Sequence, residues 1–191
     1  FRRPAAPVHY LFRCSIWWKN WRQRILDWLP LRERLLLSVD LVILDFDGVL
    51  TDNRVYVFQD GREAVVCHRG DGWGIQLLRA AQIELLILST ETNPVVSERA
   101  KKMNIDCLQG CRDKAETVAQ LISDRGLDPN RIVYVGNDTN DVQAMKLVGH
   151  RVAPADAHVT VRSMATLVTV ARGGEGVVRE LADIILGDEL H

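Results

Sequence analysis

From residue 41 onward, short unbroken apolar runs alternate with stretches that read as helices. Leu41-Val42-Ile43-Leu44, Glu84-Leu85-Leu86-Ile87-Leu88 and Arg131-Ile132-Val133-Tyr134-Val135 are runs of the first kind. Their length and continuity suit parallel strands covered on both faces. Helices are predicted over about 72–81, 94–103, 113–125 and 140–148, with Asp113 and Asn140 as N-caps and Gly126 and Gly149 as stops. Strands separated by helices of this length imply right-handed crossovers and an α/β fold, a doubly wound parallel sheet. One segment breaks the alternation. Val55-Tyr56-Val57-Phe58 and Glu63-Ala64-Val65-Val66 flank Gln59-Asp60-Gly61-Arg62, which predicts a β-hairpin directly after the first strand's loop. Further on, Gly173-Gly174-Glu175-Gly176 precedes an amphipathic helix over about 176–186.

The first 38 residues form a different kind of sequence. Residues 1–40 carry eight Lys/Arg against three Asp/Glu and hold four of the five tryptophans, so a net charge of −1 hides a basic front and an acidic remainder. Trp17, Trp21, Ile25 and Trp28 fall on one helix face. Residues 1–38 are therefore expected to be a basic, Trp-rich linker or docking helix, with a membrane-surface helix as the alternative; residues 39–191 are expected to be the main domain. No apolar run approaches the roughly 18–20 residues needed to cross a bilayer, and no secretory signal is evident. Cys14, Cys67, Cys107 and Cys111 lack C-x-x-C or finger spacing. Reduced thiols and a cytoplasmic location follow as expectations; no nucleic-acid partner is expected.

The candidate chemistry begins at Asp45-Phe46-Asp47-Gly48-Val49-Leu50-Thr51-Asp52, where the first apolar strand ends. The carboxyl ends of strands form the ligand crevice of an open α/β sheet. Two carboxylates at i and i+2 there repel each other unless a divalent cation joins them; a solvated Asp-rich turn is the alternative. Asp45 can give one oxygen to the metal and the other to an electrophile, Asp47 can swing over the leaving group, and Gly48 permits a sharp turn. Ser89-Thr90 after the 84–88 strand offers hydroxyl donors to a phosphoryl oxygen, and Lys114 offers positive charge. Gly136-Asn137-Asp138-Thr139-Asn140-Asp141 after the 131–135 strand offers oxygen ligands for Mg²⁺.

Asp45-x-Asp47, Ser89, Lys114 and Gly136-Asn137-Asp138-x-x-Asp141 resemble, in order, the four motifs of the haloacid dehalogenase superfamily, over residues 39 to about 187. The resemblance implies Asp45 as the nucleophile that becomes phosphorylated and Asp47 as general acid/base. It implies Lys114 and Ser89 as charge-neutralising donors, and Mg²⁺ held among Asp45, Asp47, Asn137, Asp138 and Asp141. One departure stands out: many members have Asp where this chain has Asn137.

The short gap between Asp52 and the next helix leaves room for the hairpin but not for a cap domain. With Gly70-Asp71-Gly72-Trp73-Gly74-Ile75 and the Gly173, Gly174, Gly176, Arg179, Glu180 pattern, it resembles the capless, tetrameric 3-deoxy-manno-octulosonate 8-phosphate phosphatases and their sialic-acid-pathway relatives. Asp71 itself is expected at an N-cap or in a loop. That likeness implies a homotetramer in which hairpins build the oligomer and a neighbouring subunit closes each site. Thr90-Glu91 stands where octulosonate phosphatases usually have Thr-Gly-Arg, Lys102 follows eleven residues later, and Glu175 replaces the Arg common in those enzymes. This is more like ketodeoxynononate 9-phosphate phosphatases, so a nonulosonate 9-phosphate is the expected substrate and octulosonate 8-phosphate the next. Similar domains follow acylneuraminate cytidylyltransferase domains, so an accessory or oligomerising module behind such a domain is the competing expectation. A mutase or dehalogenase is disfavoured by the missing cap.

Overall fold

The structure is a computed structural model and describes residues 39–187. The expected N-terminal docking helix and the 1–38 boundary lie outside the described residues. The main sheet contains β1 (Leu41–Leu44), β4 (Glu84–Leu88), β5 (Asp106–Leu108), β6 (Ile132–Val135), β7 (His150–Ala153) and β8 (Leu167–Val168). Its order is β5-β4-β1-β6-β7-β8, every pairing parallel. β2 (Tyr56–Val57) and β3 (Glu63–Ala64) form the separate antiparallel hairpin. The helices are α1 (Arg69–Ala80), α2 (Val95–Met103), α3 (Lys114–Arg125), α4 (Val142–Met145), α5 (Val159–Met164) and α6 (Val177–Leu186).

The chain winds from β1 outward to β4 and β5, then returns to place β6 on the other side of β1. The order reverses there, and a crevice opens at the carboxyl ends of β1 and β6. Leu44 is level with Ile87 of β4 and Val135 of β6, so Asp45, Ser89 and Gly136 emerge at one edge. The apolar runs are covered on both faces, as their composition requires. Leu41, Ile43, Leu86, Leu88, Ile132 and Tyr134 pack against Val118 of α3, Met145 of α4 and Val161 of α5. The opposite face carries Val42, Leu44, Ile87, Val133 and Val135, all buried, while α1 and α6 pack on each other.

Four local expectations are corrected. α1 starts at Arg69, capped by His68, whose ring accepts from Gly70 N. Asp71 is neither N-cap nor loop: buried in the first turn of α1, its Oδ1 accepts from Val178 N (2.8 Å) and Arg179 N (3.2 Å) of α6. A carboxylate there satisfies two orphan amides and complements the helix dipole, and its burial raises its pKa. The 140–148 helix is a 3₁₀ turn, Thr139–Asp141, capped by Asp138 rather than Asn140, followed by the single-turn α4. Gly149 is not its stop, since Lys146 is the C-cap. The outer strands β5, β7 and β8, of which β5 and β8 are the edges, and the short α5 had no counterpart among the expected elements. They are two to six residues long and carry exposed or half-buried positions, so no apolar run announces them.

The hairpin is the least covered part of the domain. Val55, Tyr56, Val57 and Phe58 are each half to two-thirds exposed. Asn93 Nδ2 donates to Glu63 Oε2 (3.1 Å), which ties β3 to the loop after β4.

Candidate active site

At the end of β1 the chain turns around Gly48, whose φ of +79° suits glycine. A Cβ there would lie 1.9 Å from Asn137 Nδ2, so the missing side chain is what lets the 137 amide sit against the loop. The loop is braced from behind by residues 173–174. A Cβ on Gly173 would lie 2.3 Å from Gly48 O, and Gly174 N donates to Val49 O (3.1 Å). The Gly-rich stretch therefore clamps the first motif as well as leading into α6.

Asp45 is 5% exposed, and its two oxygens are treated differently. Oδ1 accepts from Phe46 N (2.8 Å) and Lys114 Nζ (2.8 Å). Among the described residues no donor reaches Oδ2. Burial, then the neighbouring Asp141 carboxylate, push the Asp45 pKa up to about 7, against the lowering pull of Lys114. Lys114 starts α3, capped by Asp113, which accepts from Glu116 N. Its ammonium is buried between Asp45 and Asp141 Oδ1 (2.7 Å); burial alone would lower its pKa, but the two carboxylates outweigh it and raise it.

Asp141 is wholly buried and saturated. Oδ1 accepts from Lys114 Nζ and Tyr134 OH (2.9 Å), and Oδ2 from Asn137 N (3.0 Å) and Asp138 N (3.3 Å). A carboxylate has about four lone-pair directions; here all are taken, so Asp141 serves Lys114 rather than offering a free oxygen to a metal. Asp138 is exposed and accepts from Thr139 N, which makes it a cap. Of the motif-four side chains expected as metal ligands, Asn137 remains, buried beside Gly48.

Asp47 is half-buried and receives Thr51 Oγ1 (3.3 Å), which also accepts from Gly48 N. Burial raises its pKa, and Glu91 and Glu63 add to the rise against the Thr51 hydrogen bond. Ser89 is buried at the end of β4, its Oγ accepting from Glu91 N (3.1 Å). Thr90 is exposed, and Glu91 Oε1 accepts from Thr92 N and Asn93 N. Lys102, on α2, lines a cavity of about 640 Å³ with Arg69, Arg99, Lys101 and Cys67, a lining that includes none of the Asp45 cluster. The arrangement thus brings together Asp45, Lys114 and Asp141, with Asp47, Gly48 and Asn137 on the same loops, and leaves Lys102 apart. Tyr134 and Thr51 were missed as site residues: the first reads as a strand apolar residue, the second as part of a turn.

Among the described residues no group of three or more His, Cys, Asp or Glu side chains is arranged to hold a metal ion. What the donors do offer is mixed: the Asp45 carboxylate, whose Oδ2 no described donor reaches, and the side-chain amide of Asn137 on the adjoining loop. Both carry hard oxygens of the kind Mg²⁺ takes. The raised Asp45 pKa marks a place where added positive charge is favourable, so the site fits a divalent cation.

Comparison with known proteins agrees with this geometry. The family of haloacid dehalogenase-like hydrolases matches residues 80–181. The 3-deoxy-D-manno-octulosonate 8-phosphate phosphatase KdsC of Yersinia pestis is 35% identical over 150 residues, 78% of this chain and 80% of that protein. The crystal structure of a HAD family hydrolase from Streptomyces avermitilis is 49% identical with a TM-score of 0.79, covering 85% of this chain and 91% of that one. The Moraxella catarrhalis octulosonate 8-phosphate phosphatase, solved with magnesium, phosphate and KDO, is 28% identical with a TM-score of 0.77, over 81% and 89%. Sheet order, hairpin in place of a cap, and identity over most of both chains converge. The chain belongs to the haloacid dehalogenase-like hydrolases and is a phosphoric monoester hydrolase of their capless 3-deoxy-manno-octulosonate 8-phosphate phosphatase type.

Proposed function

We propose that this sugar-acid phosphatase works through Asp45 as nucleophile, and the unequal carboxylate of Asp45 carries the reading. Oδ1 is tied to Lys114 and Phe46 N, which leaves Oδ2 to attack phosphorus. Asp47, whose pKa burial raises, is the acid that gives a proton to the leaving sugar oxygen as the phosphorus–oxygen bond breaks. The resulting carboxylate then takes a proton from the water that releases phosphate from Asp45. Lys114 and the Ser89 hydroxyl offset charge on the phosphoryl oxygens. Mg²⁺ would be held beside Asp45 by Asn137 and the Asp47 carbonyl, and would supply further charge neutralisation when bound.

The substrate reading is a nonulosonate 9-phosphate ahead of octulosonate 8-phosphate. It rests on Glu91 beside Asp47 and on Lys102 with Arg69 and Arg99, a basic lining suited to a sugar carboxylate. The exposed apolar hairpin supports a homotetramer in which a neighbour completes the site. A role in sialic-acid-type biosynthesis belongs to the same reading, whereas an upstream cytidylyltransferase domain belongs to the accessory-domain alternative. Residues 1–38 would then be the linker or docking segment.

The test is phosphate release, with Mg²⁺, from octulosonate 8-phosphate and from ketodeoxynononate and N-acetylneuraminate 9-phosphates. Faster turnover of a nine-carbon substrate is expected; preference for the octulosonate overturns the finer assignment. Asn137, a neutral amide where many members carry Asp, favours the second reading, an accessory domain with little turnover. No release from any of the three substrates would support it.

A further inference from the structure

The ring of Tyr134 belongs to the apolar layer formed with Leu41, Ile43, Leu88, Val118 and Met145. Phenylalanine would fill that space equally well, so the hydroxyl needs its own reason. A buried phenol must find a partner, and here it is Asp141 Oδ1 at 2.9 Å, the same oxygen that receives Lys114 Nζ at 2.7 Å. Burial and the Asp141 charge raise the phenol's pKa, which keeps it a donor. The other oxygen of Asp141 is pinned by Asn137 N and Asp138 N. The carboxylate is therefore held in plane by strand β6 on one side and by the loop after it on the other.

We propose that Tyr134 is a positioning residue for the phosphatase reaction. Through Asp141 it fixes the Lys114 ammonium against Asp45 Oδ1. A lysine ammonium is a point charge on a four-carbon stem with freely rotating donors, so its place is set by its acceptors. Without the hydroxyl, Asp141 is short one donor and its plane is freer to turn, and Lys114 follows it away from Asp45. The Tyr134 hydroxyl hydrogen-bonds Asp141 and not Asp45. The inference rests on the reading of Asp45 and Lys114 above.

Tyr134→Phe keeps the ring and removes one oxygen. With octulosonate 8-phosphate and Mg²⁺, kcat is expected to fall about tenfold, the scale of one hydrogen bond to a buried charge. KM should stay within about twofold and the melting temperature near that of the parent. In an Asp141→Asn background the same change should alter kcat less than about twofold, because the route through Asp141 is already broken. A parent-like kcat for Y134F, an equal loss in both backgrounds, or a change confined to KM overturns the proposal.

The Lys114 ammonium nitrogen gives a second readout by NMR. Protected in the parent, its signal should broaden by solvent exchange in both Y134F and D141N; persistence in D141N overturns the proposal even where Y134F fails to fold or D141N is too slow to rank. Retained turnover in Asp45→Asn would sink the nucleophile reading itself. A dead D45N beside an unchanged Y134F would sink only the positioning role.

Discussion

The carboxyl end of β1 and the hairpin that leaves it solve opposite problems. At the strand end, Asp45, Lys114 and Asp141 are buried, and nearly every polar atom has a named partner within 3.0 Å. In the hairpin, four consecutive apolar side chains stand at least half in solvent, and one side-chain hydrogen bond, from Asn93 to Glu63, ties β3 to the body. The first region is complete within one chain, because charge taken out of water survives only with fixed partners. The second leaves apolar surface in solvent, which is what the proposed neighbouring subunit would cover. On the proposed function, bond-breaking chemistry falls to the buried cluster and substrate enclosure to the exposed hairpin.

The cluster side is broken most severely by Asp45→Asn. Loss of the proposed nucleophile should cost at least about a thousandfold in kcat with the fold retained. Steady-state phosphate release beside a circular dichroism spectrum measures both, and substantial turnover by D45N would remove Asp45 from the role assigned to it. The hairpin side is tested by a Val57→Asp, Phe58→Asp double substitution. Because these side chains stand at least half in solvent, melting of the single chain should change little. Light scattering after gel filtration should show a lighter species, and KM should rise about tenfold as the neighbour's cover is lost. A parent chain that is already a clean monomer would refute the shared pocket.

Asn137→Asp sharpens the boundary between the two regions, since this side chain lies against Gly48 at the mouth of the cluster. A charged ligand in place of an amide should tighten Mg²⁺ binding about tenfold, because hard cations favour added negative oxygen. Calorimetric titration of the apo chain reads this without reference to turnover. Unchanged affinity would mean that residue 137 is not a ligand.

The same division explains what the sequence could announce. The three central strands were legible because a strand covered on both faces must be continuously apolar, and 41–44 and 84–88 carry that signature to the residue. Asp45 and Asp47 stood out as candidates because paired charge at the end of such a strand has few structural excuses, and the structure brings Lys114, at the opening of α3, to Asp45. Asp138 and Asp141 were not separable in sequence. Both are acidic and three residues apart, and only the fold shows one capping a turn and the other saturated by Lys114, Tyr134 and two amides. Tyr134 was hidden for the opposite reason: its ring satisfies the apolar pattern so well that its hydroxyl leaves no trace. Asp71, caught in a loop-like Gly-rich motif, reaches a helix more than a hundred positions away, a contact no local rule anticipates.

The smallest effect expected is thermal, and it tests the cost of holding the cluster ready without its metal. Asp45 ionises at about 7 in the folded chain against 3.8 as its ordinary value, chiefly through burial. Between those pH values the folded state keeps a proton that the unfolded chain has lost. Stability therefore declines as pH rises through that window and levels off above it. Asp47 and Asp71, whose pKa values burial also raises, push the same way, while His150, lowered by burial, opposes. All three are common to parent and D45N, so the difference between the two chains isolates Asp45. In EDTA, D45N and parent should melt together near pH 4, and D45N should melt higher by a few degrees at and above pH 7. Saturating Mg²⁺ should close that gap from the parent's side, because the cation favours the ionised carboxylate. A melting difference that stays flat with pH, or that grows as pH falls, would mean that the buried carboxylate of Asp45 is already fully compensated by Lys114.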